Sequence, residues 1–353
     1  MRALAFNLAF PFLLLVFIET ALALAVRFPG FPIPGWLLNL ERQAYMDQRR
    51  ILQFDPRCAR YDAELTYTLR PGGCVFANDE YSMQVDVNHL GVRDDDGSLE
   101  APEIVVLGDS FAMGWGVAQD ESFPQLLEER TGMRVLNAAV SSYGTARELT
   151  MLGRIDTSQL RLLVIQYCRD NDAGENQVAV DAGGRLPIST RADYEKYLEE
   201  PVGPARYWFG KHLYRLFRKH VRPDARLAEK LEANAEAAEQ ERPDAGTEAR
   251  LFLELLARAP ADLSRVPILL VDLDAWGGMD DEFLDAVDAL LAAEPSLRTG
   301  STLRTLRLRR PLVARRHFYR LDDHLNAAGH RVVADALVAA LPEVGIPVEA
   351  RAD

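Results

Sequence analysis

The chain contains little cysteine, little histidine and less positive than negative charge. Its 353 residues include three cysteines and six histidines, and 53 Asp and Glu outnumber 40 Lys and Arg, for a formal net charge of −13. Nucleic-acid-binding proteins usually carry a basic patch that neutralises phosphates, so we expect no nucleic-acid partner. No Cys-x-x-Cys or Cys/His zinc spacing occurs, so the sequence predicts no metal site, and no other cofactor is expected.

A long apolar run lies at the N-terminus. Residues 3–26 can cross a lipid bilayer as a helix, and no small-x-small cleavage site follows them. We therefore predict that residues 1–28 form an uncleaved signal anchor, with the body on the periplasmic, extracytoplasmic side of the membrane. Glu19 lies within the run. A carboxylate facing lipid is costly, so we expect it near the interface, protonated, or paired with another helix, which could belong to a membrane partner.

Two further regions precede the main domain. Residues 29–56 form a Pro/Gly-punctuated linker and juxtamembrane segment that we expect to lift the body off the membrane, and residues 57–102 predict short strands and turns. In an oxidising compartment Cys58 and Cys74 could form a disulfide worth roughly 3 kcal/mol, with Cys168 left as a buried thiol. Three unpaired thiols are the alternative.

From residue 103 the pattern becomes strand, turn, helix, repeated. The apolar runs "IVVL", "MRVLNAAV", "LRLLVIQY" and "VPILLVDL" alternate with helical segments, as buried parallel strands do. This predicts an α/β fold over residues 103–345, with a doubly wound, flavodoxin-like parallel sheet that binds ligands beyond the carboxyl ends of its strands. Residues 174–262 break the rhythm and predict a helical insertion or lid. Its stretch "YWFGKHLYRLFRKHVR" fits a helix on an anionic membrane surface or one packing its aromatic face on the core.

Polar residues follow two of the predicted strands. Ser110 comes directly after "IVVLGD", where it is either a nucleophile or the N-cap of a helix. Asn171 and Asp172 follow "QYCRD", where their side chains could reach the same crevice. An asparagine amide suits a developing oxyanion, and a turn is the alternative role for this pair.

A third polar group lies in the C-terminal loop "LDDHLNAAGH". A serine becomes a strong nucleophile when a base takes its proton, and a histidine serves as that base when a carboxylate holds its tautomer. His324 follows Asp322 and Asp323, so one loop supplies both parts. His330 is expected to face outward or to cap its helix.

These three blocks, in this order on an α/β pattern, resemble the SGNH (GDSL-type) hydrolases over roughly residues 103–342. The resemblance implies that Ser110 attacks an ester carbonyl and that His324 is the general base, oriented by an aspartate. It also implies that Asn171 joins backbone amides, including that of Ser110, in the oxyanion hole.

The sequence departs from the family at two positions. The second block usually has a glycine whose backbone N–H faces the oxyanion; here Ser142 stands there, with Gly144 two residues on. We expect the Ser142 amide to donate from a more constrained backbone. The commonest position of the acid, three residues before the histidine, is Leu321. We therefore prefer Asp322, two residues before it, to Asp323.

The sequence thus predicts a membrane-anchored serine esterase or O-acyltransferase that acts through an acyl-enzyme on Ser110. The expected substrate is an acylated glycan of the cell envelope, with acetyl as the acyl group, or a small-molecule ester. The alternative is a non-catalytic protein of the same fold that binds glycan or a membrane partner, which the departures at Ser142 and Leu321 favour. The acyl chain, the acceptor and the choice between hydrolysis and transfer stay open.

Overall fold

The computed structural model describes residues 2–28, 30–184, 186–198, 207–221 and 243–347. The polar stretch 222–242 of the predicted insertion lies outside the described residues. The strands are β1 Ala59–Asp62, β2 Thr66–Leu69, β3 Cys74–Ala77, β4 Ser82–Val85, β5 Ile104–Leu107, β6 Val135–Asn137, β7 Leu162–Tyr167, β8 Pro267–Asp272 and β9 Thr302–Leu306. The helices are α1 Arg2–Arg27, α2 Gly35–Met46, α3 Ser110–Met113, α4 Phe123–Thr131, α5 Thr145–Leu152, α6 Arg169–Asp181, α7 Arg191–Glu195, α8 Lys211–Val221, α9 Ala245–Leu256, α10 Glu282–Ala293, α11 Ala314–His317 and α12 Ala327–Ala340.

The central sheet has five parallel strands in the order β6-β5-β7-β8-β9. This is the flavodoxin-like order, in which ligands bind where the strand order reverses, between the first and third strands. The predicted α/β fold is therefore confirmed. The apolar runs correspond to β5 to β8, every residue of which is buried. The edge strand β9 was missed because its sequence, "TLRTL", has no continuous apolar run.

The lead-in region folds as two antiparallel hairpins, β1–β2 and β3–β4. A disulfide between Cys58 and Cys74 joins them, and Cys168 is a buried free thiol. Residues from Leu52 to Ile346 contribute to one hydrophobic core, so the hairpins are part of the main body.

One helix among the described residues is long and apolar enough to span a membrane, over Ala9–Arg27. Its second half also packs on the body: Leu22 and Ala25 are each 1% exposed, and Arg320 donates to the Ala25 carbonyl at 3.1 Å. The end of α1 is therefore itself a packing surface, and the expectation that the linker lifts the body off the membrane stays a prediction.

Helix α9 lies within the predicted insertion, residues 174–262, but it packs as part of the main fold. This helix carries Phe252, Leu253 and Leu256, all completely buried, and it lies between β7 and β8 in the chain. A parallel pair of strands needs such a crossover helix, which covers one face of the sheet. We therefore count α9 in the α/β fold, and not in a separate lid.

We expect the Cys58→Ser, Cys74→Ser double variant to lower the free energy of unfolding by about 3 kcal/mol, because the bond closes a loop across a sequence separation of 16 residues. Denaturant unfolding of the full-length protein in detergent, with and without reductant, measures this difference. Reductant should bring the wild-type protein to the stability of the variant. A wild-type protein insensitive to reductant, and equal to the variant, would contradict the disulfide.

Candidate active site

Ser110 stands where β5 ends and the short helix α3 begins. The chain turns at Gly108, where a Cβ atom would lie 2.7 Å from the Gln166 side chain and from Ala112. Asp109 caps α3, since its Oδ1 accepts the Phe111 N–H at 2.9 Å. Asp109, and not Ser110, is therefore the N-cap of α3.

The structure brings together the three side chains predicted for catalysis. His324 Nε2 lies 2.7 Å from Ser110 Oγ, and His324 Nδ1 lies 2.6 Å from Asp322 Oδ1. These distances match hydrogen bonds from a hydroxyl to a base and from that base to a carboxylate. The site lies at the reversal point of the strand order, beyond the carboxyl end of β5. The catalytic roles themselves stay predictions.

Two aromatic rings enclose the imidazole of His324. The ring centroids of Phe111 and Trp115 lie 4.9 and 5.0 Å from it. Arg93, which is buried, supports the loop that carries Trp115 by donating to the Gly114 carbonyl at 2.5 Å. The imidazole is therefore held by packing as well as by hydrogen bonds.

The two candidate acids differ in their surroundings. Both reach His324 Nδ1, Asp322 at 2.6 Å and Asp323 at 2.9 Å. Asp322 is completely buried, whereas the Asp323 side chain is 15% exposed and pairs with Arg49 at 2.5 Å. Asp322 is thus the inner acid, as preferred from the sequence, and Asp323 is a second carboxylate at the mouth of the same site.

Two tyrosines that the sequence did not single out hold the inner acid. The hydroxyl groups of Tyr45 and Tyr81 donate to Asp322 Oδ2 at 2.6 and 2.9 Å. They come from α2 and from the turn between β3 and β4, 277 and 241 residues away in the chain. No local pattern could have linked them to Asp322, because the contact arises only when α2 folds back onto the body.

The loop before His324 is also held from a distance. Glu80 accepts the backbone N–H groups of Arg320, Leu321 and Asp322, each at 2.7 Å. Burial raises the pKa of Glu80 to about 7, although the three hydrogen bonds act in the opposite direction and lower it. Glu80 therefore fixes the backbone that presents Asp322.

Two backbone amides are available for an oxyanion. Within the described part of the chain, the N–H groups of Ser110 and Ser142 have no hydrogen-bond acceptor. Ser142 adopts a left-handed conformation with φ 59°, the region that favours glycine, and its hydroxyl accepts from Gln53 at 2.9 Å. Ser142 thus has a backbone conformation that glycine adopts most readily.

The Asn171 and Asp172 side chains point to different places. Asn171 donates one amide hydrogen to Asp109 Oδ2, in the residue before Ser110. Asp172 accepts from the Thr145 N–H at 2.7 Å and the Cys168 N–H at 2.8 Å, so it ties the end of β7 to the start of α5. The expectation that both side chains reach the crevice is wrong for Asp172, because its oxygens serve the backbone.

Neighbouring charges set the protonation of His324. Burial alone lowers the pKa of His324, but the carboxylates of Asp323 and Asp322 overcome this and raise it to about 9. These three groups also lie close enough to ligate a metal. Their donor atoms are already engaged by Tyr45, Arg49 and Ser110 within the described residues, so we assign no metal here.

His330 lies away from the catalytic residues. It is 1% exposed, and its Nδ1 accepts the Phe123 N–H at 3.2 Å, at the start of α4. Burial lowers its pKa to about 3. The expectation that it faces outward is wrong: it caps a helix, although not its own.

Comparisons with known proteins give weak likenesses. No family model and no curated protein matches the sequence. A structure described as a GDSL-like lipase from Bacteroides ovatus ATCC 8483 aligns with a TM-score of 0.37 and 12% identity, over 70% of this chain and 55% of that one. TesA aligns with a TM-score of 0.35 and 14% identity, over 68% and 98%. The chain thus matches about half the length of the lipase, and scores this low do not establish an activity.

We expect activity to rise with pH toward a midpoint near 9, because the base must be neutral and the pKa of His324 is raised to about 9. Asp323→Asn removes one of the charges that raise this pKa, so its midpoint should move down while activity persists. Asp322→Asn should lower kcat by roughly three to four orders of magnitude, as in known triads. The pH dependence of kcat/KM on an activated ester measures both effects. Equal losses in the two variants would contradict the assignment of Asp322 as the inner acid.

We expect Tyr45→Phe to lower kcat by about tenfold or more with little change in KM, because a hydrogen bond to a buried carboxylate is lost. Tyr61→Phe is the matched control, since its hydroxyl bonds an exposed carbonyl of Ser189 at 3.2 Å. Steady-state kinetics on the same ester measure both variants. Equal kinetics for Tyr45→Phe and the control would show that Tyr45 does not position the acid.

Proposed function

We propose that the protein is a serine hydrolase of the SGNH type that forms an acyl-enzyme on Ser110. The observation that carries the proposal is the chain of hydrogen bonds from Ser110 Oγ through His324 to Asp322, at 2.7 and 2.6 Å. A buried serine, histidine and aspartate in this order have the geometry of nucleophilic acyl transfer.

The geometry supports the following reaction. Ser110 Oγ attacks the ester carbonyl as its proton passes to His324 Nε2, while Nδ1–H donates to Asp322. The N–H groups of Ser110 and Ser142 and the second amide hydrogen of Asn171 stabilise the oxyanion. His324 then protonates the departing alcohol, leaving an acyl group on Ser110. Water or a sugar hydroxyl gives its proton to His324 as it attacks this acyl group, and the proton returns to Ser110.

We propose an acetyl ester of a cell-envelope glycan as the substrate. Ser110 and His324 are only 6% and 5% exposed, and the rings of Phe111 and Trp115 crowd the base. Such an enclosed site favours a small acyl group. Transfer to a second sugar hydroxyl is the same chemistry with water excluded.

We propose that α1 anchors the protein, with the catalytic body on the periplasmic side. Two observations support this. Over Ala9–Arg27 the helix is long and apolar enough to span a bilayer, and the Cys58–Cys74 disulfide requires an oxidising compartment. Glu19 has partners within its own chain, so a separate membrane partner at this residue stays an untested prediction.

The alternative of a non-catalytic binding protein loses its two supports. Ser142 retains a glycine-like backbone with an available N–H. Leu321 is 1% exposed, and its N–H is held by Glu80, so it is a packing residue beside the proposed triad. A chain that only bound glycan would have no chemical need for this arrangement.

Turnover of p-nitrophenyl acetate, butyrate and octanoate by the full-length protein in detergent tests the proposal. We expect activity that is highest on acetate and abolished in Ser110→Ala and His324→Ala. Ser158→Ala, at an exposed serine, is the matched control and should equal the wild type. Activity that survives in Ser110→Ala would contradict the mechanism, and a preference for octanoate would contradict the small acyl group.

A further inference from the structure

Helix α8 turns polar side chains inward and aromatic side chains outward. His212 and Arg215 are 2% and 7% exposed, whereas Tyr214 and Phe217 are 52% and 60% exposed. A surface helix of a soluble protein ordinarily buries its apolar face. The sequence leaves two roles open for this stretch: a helix on a membrane surface, or a helix that packs its aromatic face on the core. The second prediction is wrong, because the aromatic side chains face outward.

The turn before α8 extends the exposed face. Tyr207, Trp208 and Phe209 are 49%, 50% and 59% exposed. We call the combined surface the aromatic face; it consists of Tyr207, Trp208, Phe209, Tyr214 and Phe217. Contiguous exposed apolar groups of this kind mark an interaction surface.

Hydrogen bonds and ion pairs fix the orientation of α8. His212 Nδ1 and Arg215 lie 2.5 and 2.7 Å from Glu41 of α2. Lys211 and Arg215 also pair with Asp79, Lys211 at 2.6 Å. Rotating α8 to bury its aromatic side chains would separate these largely buried charges, which is strongly unfavourable. The exposure of the aromatic face is therefore built into the fold.

Glu19 connects the aromatic face to α1. Its carboxylate, completely buried, accepts the Leu213 N–H at 2.9 Å and the Tyr207 hydroxyl at 3.2 Å. Beyond it, Leu22 and Ala25 pack on the body. Before it, six large apolar side chains are 46–70% exposed; they are Phe10, Phe12, Leu13, Leu14, Leu15 and Phe17. The exposed part of the anchor thus ends where the aromatic face begins.

This arrangement limits how deep α1 can lie in a bilayer. If all of Ala9–Arg27 lay in hydrocarbon, Glu19 would be about 12 Å below the surface. Glu41 and Asp79 bind the same helix, α8, as Glu19 does, so their charges would also move toward the hydrocarbon at high cost. Residues 2–18 alone span about 25 Å as a helix, close to the thickness of the hydrocarbon core.

We propose that the aromatic face lies in the headgroup region of a lipid bilayer whose edge meets α1 near Glu19. Trp and Tyr favour this region because their rings are apolar and their N–H and O–H groups reach water. Continuity with the exposed apolar part of α1 identifies the occupant as lipid. The proposal rests on the proposed membrane anchoring, and it does not depend on the hydrolase activity.

Tryptophan quenching in vesicles tests this surface. The full-length protein has four tryptophans, of which Trp115 is 2% exposed. A Trp36→Phe, Trp276→Phe variant keeps Trp115 and Trp208 as probes, and adding Trp208→Phe isolates the buried control. The variants are reconstituted in phosphatidylcholine and phosphatidylglycerol vesicles whose lipids are brominated near the headgroup or near the bilayer centre.

We expect headgroup-proximal bromine to remove the Trp208-dependent emission, with little effect from bromine at the centre and none on Trp115. A Phe217→Trp probe in the Trp208→Phe background should behave in the same way. If the protein floats with the vesicles but brominated lipid quenches neither probe, the proposal is wrong. This includes the case in which a second copy of the protein covers the aromatic face, so that the emission shifts with protein density. Protein that does not float with vesicles would overturn the anchoring, and with it this proposal, while leaving the hydrolase assignment intact.

Discussion

The candidate site depends on the hydrogen bonds of the buried Asp322 carboxylate. It accepts hydrogen bonds from Tyr45 and Tyr81 and faces His324 Nδ1, so three distant parts of the chain meet at one side chain. A buried carboxylate without such donors would be costly, and a histidine without it would have no fixed tautomer. The arrangement of Asp322 and His324 therefore depends on the packing of α2 against the body.

Helix α2 connects the proposed catalytic site to the proposed membrane anchor. Glu41 of α2 holds α8 through His212 and Arg215, while Tyr45 on the next turn donates to Asp322, the proposed catalytic acid. Glu19 of α1 closes the connection by accepting the Leu213 N–H at the start of α8. The segment expected to be a linker thus connects α1 with the candidate triad, and the end of α1 packs on the body.

The sequence predicted the parts whose signals are local. Four apolar runs identified β5 to β8, and Ser110, Asp322 and His324 could be chosen because each lies in a short polar block at a strand end or in a loop. It missed β9, which lacks an apolar run, and the tyrosines that hold the acid, because their contacts span more than 200 residues. It also misplaced Asp172, since a turn carboxylate can equally serve the crevice or the backbone, and only packing decides between them.

Covalent labelling of the nucleophile tests the central claim most directly. The full-length protein in detergent is treated with a fluorophosphonate, digested, and mapped by mass spectrometry. The account predicts one adduct, on Ser110, that forms faster as pH rises toward 9, because His324 must lose its proton to act as the base. No adduct, or an adduct at another serine with Ser110 unmodified, would contradict a serine hydrolase built on this triad.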